Sequence, residues 1–178
     1  MKVTYYVATS LDGFIAKENG DVSWLDTMDI DMAETGYDEF FASIDGLVMG
    51  GNTYDFVFNY GSWPYGNKLS WVCSNRDLQI LDGANLNVVQ TPEDVFNEAK
   101  SKGVKHLWLV GGGQLASSFL ELGFLTHISI SKMPIKLGTG IPLFADHELE
   151  KLSAKKTEII QKSGFEQLEI TLQAKSIT

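Results

Sequence analysis

The chain is poor in sulfur chemistry and in fixed positive charge. Cys73 is the only cysteine in 178 residues, which excludes an intramolecular disulfide and a thiolate metal cluster. The three histidines (His106, His127 and His147) show no metal-ligand spacing, so no metal is expected. Arg76 is the only arginine, and no Lys, Arg or His occurs between Glu18 and Asn67. With a net charge of −9 there is no basic excess to displace counterions, which argues against non-specific nucleic-acid binding. No apolar run approaches bilayer length and the chain opens directly on a strand pattern, so a cytoplasmic protein without a membrane partner is expected. Internal repeats and low-complexity segments are also lacking.

Hydrophobic residues make up 44% of the chain, enough at this length to bury a full core without staples. A single domain over residues 1–174 is expected, with residues 175–178 frayed. Lys2 to Ala8 reads as a buried strand, followed by a long loop from Ser10 to Leu25 with turn dipeptides at Asp12-Gly13 and Asn19-Gly20. Met28 to Ile44 has helical spacing through Ala33, Tyr37, Phe40, Phe41 and Ile44, with Gly36 a local weakness. Leu47 to Met49, Leu69 to Ser74, Leu86 to Gln90 and Thr126 to Met133 read as further strands, and Thr53 to Asn59 as a short helix. Thr91 and Pro92 open another helix as N-cap and first residue, and Gly103 closes it. Lys155 to Gln161 and Phe165 to Ala174 alternate around Ser163-Gly164 as a closing hairpin. Strands alternating with helices predict a three-layer α/β fold, its central sheet mostly parallel with an antiparallel C-terminal hairpin.

The most informative stretch runs from Leu107 to Phe119. An apolar strand ends at Gly111-Gly112-Gly113, and Leu115, Phe119 and Leu122 then share a helical face, with Gly123 placed to end the helix. A strand passing through glycines into a helix exposes uncapped N–H groups at the positive end of a dipole, a place to bind phosphate or simply a tight turn. Gly50-Gly51-Asn52-Thr53 repeats the pattern, with the same two readings. Ser74-Asn75-Arg76 ends a third strand with a hydroxyl and the only guanidinium, suited to a phosphate monoester or to a solvated surface. Ligands of open α/β sheets bind beyond the carboxyl ends of strands, and together these three ends describe a dinucleotide site.

These motifs resemble the dihydrofolate reductase-like fold, in which M-G-x-x-T and G-G-G mark the two helices that hold NADPH. Ile15 to Asn19 followed by Trp24 is similar to the mobile loop of dihydrofolate reductase. Gly111-Gly-Gly-Gln-Leu115, Leu122-Gly123 and Pro134-Ile-Lys-Leu-Gly-Thr-Gly-Ile-Pro-Leu-Phe144 resemble the C-terminal reductase domain of RibD, and free-standing relatives of that domain most of all. The resemblance implies an oxidoreductase of the 5-amino-6-(5-phosphoribosylamino)uracil reductase type and a homodimer. It places Ala8 and Ile15 at the nicotinamide, and Gly112, Gly113, Gln114 and Leu115 at the pyrophosphate with Gly50, Gly51, Asn52 and Thr53 opposite. Ser74, Asn75 and Arg76 then face the 2′-phosphate. Gly51 stands where dihydrofolate reductases commonly have arginine, which leaves that duty to Arg76 alone.

Two departures bear on substrate. The arginine that holds the glutamate tail of folate is missing near Asn67 and Lys68. The substrate walls are expected from residues 28–45 and 54–67, with Trp24, Tyr37 and Phe41 in contact. Both lie in a segment with ten acids and no base, which disfavours a phosphorylated sugar. One cysteine could not supply the zinc ligands of a deaminase domain. The expected substrate is therefore a small, non-phosphorylated pterin- or pyrimidine-like heterocycle. The family position of the proton donor falls on Glu34, with Asp38 one turn on, or these are simply an acidic solvent face. A nucleotide-binding protein without turnover and a genuine dihydrofolate reductase are the alternatives.

Overall fold

The computed structural model describes residues 1–174, so the expected frayed tail at 175–178 lies outside the described residues. Eight strands form the central sheet: β1 (Lys2–Thr9), β3 (Gly46–Gly50), β4 (Leu69–Cys73), β5 (Leu86–Val89), β6 (His106–Gly111), β7 (His127–Lys132), β9 (Ala154–Gln161) and β10 (Glu166–Leu172). Their order is β5-β4-β3-β6-β1-β7-β10-β9. The first six run parallel, while β10 lies antiparallel to β7 and β9 antiparallel to β10, as the closing hairpin predicts.

Alternation along the strands builds two cores. Val48, Trp71, Leu107 and Leu109 face α3 (Pro92–Ser101) and α4 (Gly113–Glu121), whose Val95, Ala99, Ala116 and Phe119 are buried against them. Leu47, Met49, Val72 and Trp108 face the other way, towards α1 (Tyr37–Ser43) and α2 (Gly51–Tyr60), with Tyr54 and Val57 buried there. Helices thus cover both faces, the three-layer arrangement expected for parallel strands.

Local signals explain where the helices start and stop. Thr91 caps α3 by accepting from the Asp94 N–H at 3.1 Å, and Pro92 occupies a position that needs no N–H. Gly123 ends α4 at φ 72°. There the Phe124 N–H reaches the Phe119 carbonyl at 2.9 Å and the Gly123 N–H reaches Leu120 at 3.1 Å. The Phe119 and Phe124 rings meet edge-on, completing the hydrophobic contact of this C-terminal motif.

The helix expected over Met28 to Ile44 is not continuous. Gly36 adopts φ 72°, and only Tyr37–Ser43 is α-helical. Before it lie two single-turn 3₁₀ segments, Ser23–Thr27 and Met32–Thr35. Asp31 caps the second through its carboxylate, accepting from the Ala33 N–H at 2.9 Å, and the Thr35 hydroxyl accepts from the Tyr37 N–H at 3.3 Å. These side-chain bonds to backbone compete with an α-helix and end the segment at the glycine. Ala33, expected on the buried face, is exposed.

Two loops read from the sequence pair with each other. β2 (Phe14–Ala16) and β8 (Ile141–Pro142) form a small antiparallel sheet. Close approach requires glycine here: a Cβ on Gly140 would run into the Ala16 carbonyl, and one on Gly113 would come within 2.6 Å of the Pro142 carbonyl. The segment is tied down where Tyr5 donates to the Leu143 carbonyl at 3.0 Å and the Ser117 hydroxyl accepts from the Ala145 N–H at 3.0 Å.

Candidate functional site

β3 and β6 are neighbours, but the chain leaves them in opposite directions. After β3 it passes through α2 to β4, towards one edge of the sheet; after β6 it passes through α4 to β7, towards the other. The two helices lie on opposite faces, so a crevice opens where the strands end. The register of β3 on β6 shifts so that Met49 pairs with Gly111. The two glycine turns then sit side by side: a Cβ on Gly50 would lie 3.8 Å from the Gly111 oxygen and 3.9 Å from the Gly112 nitrogen. The Gly111–Gly112 peptide is cis. Neither Gly50 before α2 nor Gly112 before α4 makes a side-chain cap, which leaves the first N–H groups of both helices available to an anion.

The crevice widens into a cleft of about 1450 Å³. All the residues assigned above to a dinucleotide line it: Ala8, Ile15, Gly50, Gly51, Asn52, Thr53, Ser74, Asn75, Arg76, Gly111, Gly112, Gly113, Gln114 and Leu115. A Cβ on Gly112 would make ordinary van der Waals contact with the Thr53 hydroxyl at 3.7 Å, so Thr53 is the side chain that faces this turn across the crevice. On α2, a Cβ on Gly51 would come within 2.7 Å of Arg76 Nη2 and 3.0 Å of Ser74 Oγ. The missing side chain at Gly51 is therefore the space over which the guanidinium lies. Arg76 is not a free cation, because Nη2 donates to Asp55 Oδ2 at 2.8 Å.

The opposite end of the cleft is aromatic. Tyr6 and Trp108 face it from β1 and β6, while Phe56, Tyr60 and Tyr65 face it from α2 and the loop that follows. Trp108 organises this wall. Its indole N–H donates to the Tyr6 carbonyl at 3.1 Å, and Tyr65 and Phe40 each pack edge-on against its ring at 5.6 Å. Trp63 in turn packs edge-on against Tyr65 at 4.9 Å, so the Trp63-Pro64-Tyr65 loop serves as pocket wall. Burial pushes the Tyr65 phenol pKa well up, and the nearby Tyr37 hydroxyl adds to this, so the ring is neutral across the physiological range.

Several residues expected at the substrate lie outside the cleft. Trp24 is 3% exposed and packs with Met133 and Phe165 instead of lining the cleft; its indole N–H has no acceptor. Tyr37 does not line the cleft but packs on two residues that do, Tyr6 and Trp108, and Phe41 sits under the Lys68 ammonium at 4.8 Å. No residue of 28–45 lines the cleft; Tyr37 and Phe40 pack on Tyr6 and Trp108 from outside it, while Tyr65 packs on Trp108 and lines it. Glu34 and Asp38 are exposed and outside it, and the same break removes them from a common helical stripe. Among the described residues lining the cleft, Glu18 is the only carboxylate and Arg76 the only cation. Phe56 and Tyr65 belong to the 54–67 segment expected to wall the substrate pocket, and Glu18 to the loop at 15–19; all three line the cleft.

Asp12 joins two cleft-lining loops. Its carboxylate accepts from the Ser10 hydroxyl at 2.6 Å and from the N–H groups of Leu137 at 3.1 Å and Gly138 at 2.7 Å. It thus fixes the turn before Ile15 against the turn before Gly140.

Comparison with known proteins agrees with this geometry. The family model of the RibD C-terminal domain matches residues 1–164. YwjB of Bacillus subtilis (strain 168) is 31% identical over 149 residues, covering 83% of this chain and 84% of its own. A crystal structure from Shewanella sp. PV-4 superposes with a TM-score of 0.75 at 30% identity, over 97% of this chain and 99% of that one. The diaminohydroxyphosphoribosylaminopyrimidine deaminase/5-amino-6-(5-phosphoribosylamino)uracil reductase of Thermotoga maritima gives 0.74 at 14% identity, which speaks to the fold alone. This chain covers 97% of itself in that superposition but 56% of the Thermotoga chain.

The Asp12 clamp has a pH signature. The Ser10 hydroxyl, with the Leu137 and Gly138 N–H groups, holds the carboxyl at about 2 in the folded chain, against about 3.9 for an unperturbed aspartate. A carboxylate with a depressed folded pKa adds stability above its unfolded pKa and loses it as pH falls through the folded value. The stability difference between wild type and Asp12→Asn in urea is therefore expected to be constant above about pH 5 and to shrink between about pH 4 and pH 2. A difference that stays flat through that window would show that the ionised carboxylate does not carry the clamp.

Proposed function

The chain belongs to the RibD C-terminal domain family, and on that premise we propose that it is a cytoplasmic NADPH-dependent reductase of a small, planar, non-phosphorylated pterin- or pyrimidine-like heterocycle. One observation carries the cofactor half: two glycine turns side by side at uncapped helix N-termini, beside the only arginine of the chain. Gly50 to Thr53 and Gly111 to Leu115 would hold the pyrophosphate by backbone N–H groups, and Ser74 and Arg76 would hold the 2′-phosphate. Bound NADPH would supply a hydride for one carbon of a carbon–nitrogen double bond, with a proton drawn from solvent completing the nitrogen.

The protein's own work is to bind, orient and exclude water. Ala8 and Ile15 line the same cleft, and the family resemblance assigns the nicotinamide to them. Tyr6, Trp108 and Tyr65 offer flat, rigid surfaces on which a planar ring stacks. No cation lies at that end, and Glu18 at the rim would repel a phosphorylated sugar, which favours a neutral or weakly basic ring. Among the described residues no helix is long and apolar enough to cross a membrane.

A second reading, a nucleotide-binding protein without turnover, is favoured by one fact: Glu34 and Asp38 are both exposed and away from the cleft. We also propose a homodimer joined through β9. This outermost strand exposes Ile159 at 61% and Ile160 at 44%. Antiparallel pairing with a second copy about Thr157 would set Lys156 opposite Glu158.

A screen of NADPH oxidation with pterins, pyrimidines and their phosphorylated forms tests the catalytic reading. Turnover of the non-phosphorylated compounds is expected. Preference for the phosphorylated ones would overturn the substrate class, and tight NADPH binding without any turnover would favour the second reading. Light scattering on the eluted protein should give twice the chain mass, falling to one chain mass in the Ile159→Lys/Ile160→Lys variant; a monomeric wild type would remove the dimer.

A further inference from the structure

The expected monoester site already contains an anion of the protein's own. Asp55 lies one helical turn after Gly51 on α2, and its Oδ2 accepts from Arg76 Nη2 at 2.8 Å. The pair is held in place from both sides. The Arg76 N–H donates to Ser74 Oγ at 3.1 Å, and the guanidinium lies over the bare Cα of Gly51. Both side chains are about half exposed, at 51% for Arg76 and 43% for Asp55, so solvent screens the pair and it is weak enough to exchange.

We propose that Asp55 sets how strongly the cleft distinguishes a dinucleotide with a 2′-phosphate from one with a 2′-hydroxyl. This rests on the reading of the cleft as a dinucleotide site and names the residue that tunes it. A 2′-phosphate must take Arg76 from Asp55 and then sits near a carboxylate of its own sign. A 2′-hydroxyl leaves the ion pair intact, and a carboxylate is a good acceptor for a ribose hydroxyl. The acid and the arginine therefore pull cofactor choice in opposite directions, and the chain carries no second arginine to tip the balance.

The test is titration of NADPH and of NADH into wild type, Asp55→Asn, Arg76→Ala and the double variant, followed by tryptophan fluorescence at two salt concentrations. In Asp55→Asn, NADPH binding is expected to tighten by about three- to tenfold while NADH binding holds or weakens. In Arg76→Ala, the preference for NADPH collapses and its salt dependence flattens. Adding Asp55→Asn to Arg76→Ala should restore none of the preference beyond what relief of repulsion gives, so the two effects are not additive. An NADPH-to-NADH ratio unchanged in Asp55→Asn overturns the proposal while leaving the dinucleotide site standing. Binding of neither cofactor to the wild type overturns the dinucleotide reading, and this proposal with it.

Discussion

The architecture depends on one topological constraint: adjacent parallel strands, β3 and β6, whose following helices leave in opposite directions on opposite faces. Two helix N-termini must then end side by side with their first N–H groups unpaired. Side chains between them would close the gap, and glycine occupies both turns. The rest of the chain is arranged around keeping that gap shaped. Ser117 and Tyr5 anchor the segment around Pro142 against α4, Asp12 clips the opposing loops together, and Trp108 sets the far wall.

Charge follows the same plan. The run of ten acids and no base between Glu18 and Asn67 is largely spent on solvent: Asp31 caps a 3₁₀ turn, Asp45 accepts from the Lys105 and His106 N–H groups, and Glu34 and Asp38 face water. Only Glu18 lines the cleft, and Asp55 reaches its edge through Arg76. The aromatic part of the cleft lining is thereby left free of cations, while the glycine turns offer backbone dipoles beside one guanidinium.

Features governed by local chemistry were legible in the sequence. Thr91-Pro92, Gly103 and Gly123 mark helix ends because capping acts over a few residues, and the three strand ends are visible where apolar runs stop at glycine or serine. What was not legible depends on distant pairs. Arg76 and Asp55 are 21 positions apart and meet only once α2 and the end of β4 are adjacent. Tyr37 packs on Tyr6 and Trp108 outside the cleft; the aromatic spacing from Ala33 to Ile44 suggests one long helix, whereas Gly36 and the Thr35 side-chain bonds cut it short. The Asp12 clamp joins residues over 120 positions apart, and no pattern in either loop announces the other.

The central claim is that the space between the two glycine turns holds a dinucleotide pyrophosphate. It is tested most directly by titrating NADPH into wild type and into Gly112→Val. Gly112 has an ordinary φ of −91° and room for a Cβ, and valine projects towards the space facing Thr53. The account predicts saturable binding of one NADPH per chain in the wild type and a loss of at least about tenfold in the variant. Equal affinity in the two proteins, with the variant folded, would contradict it.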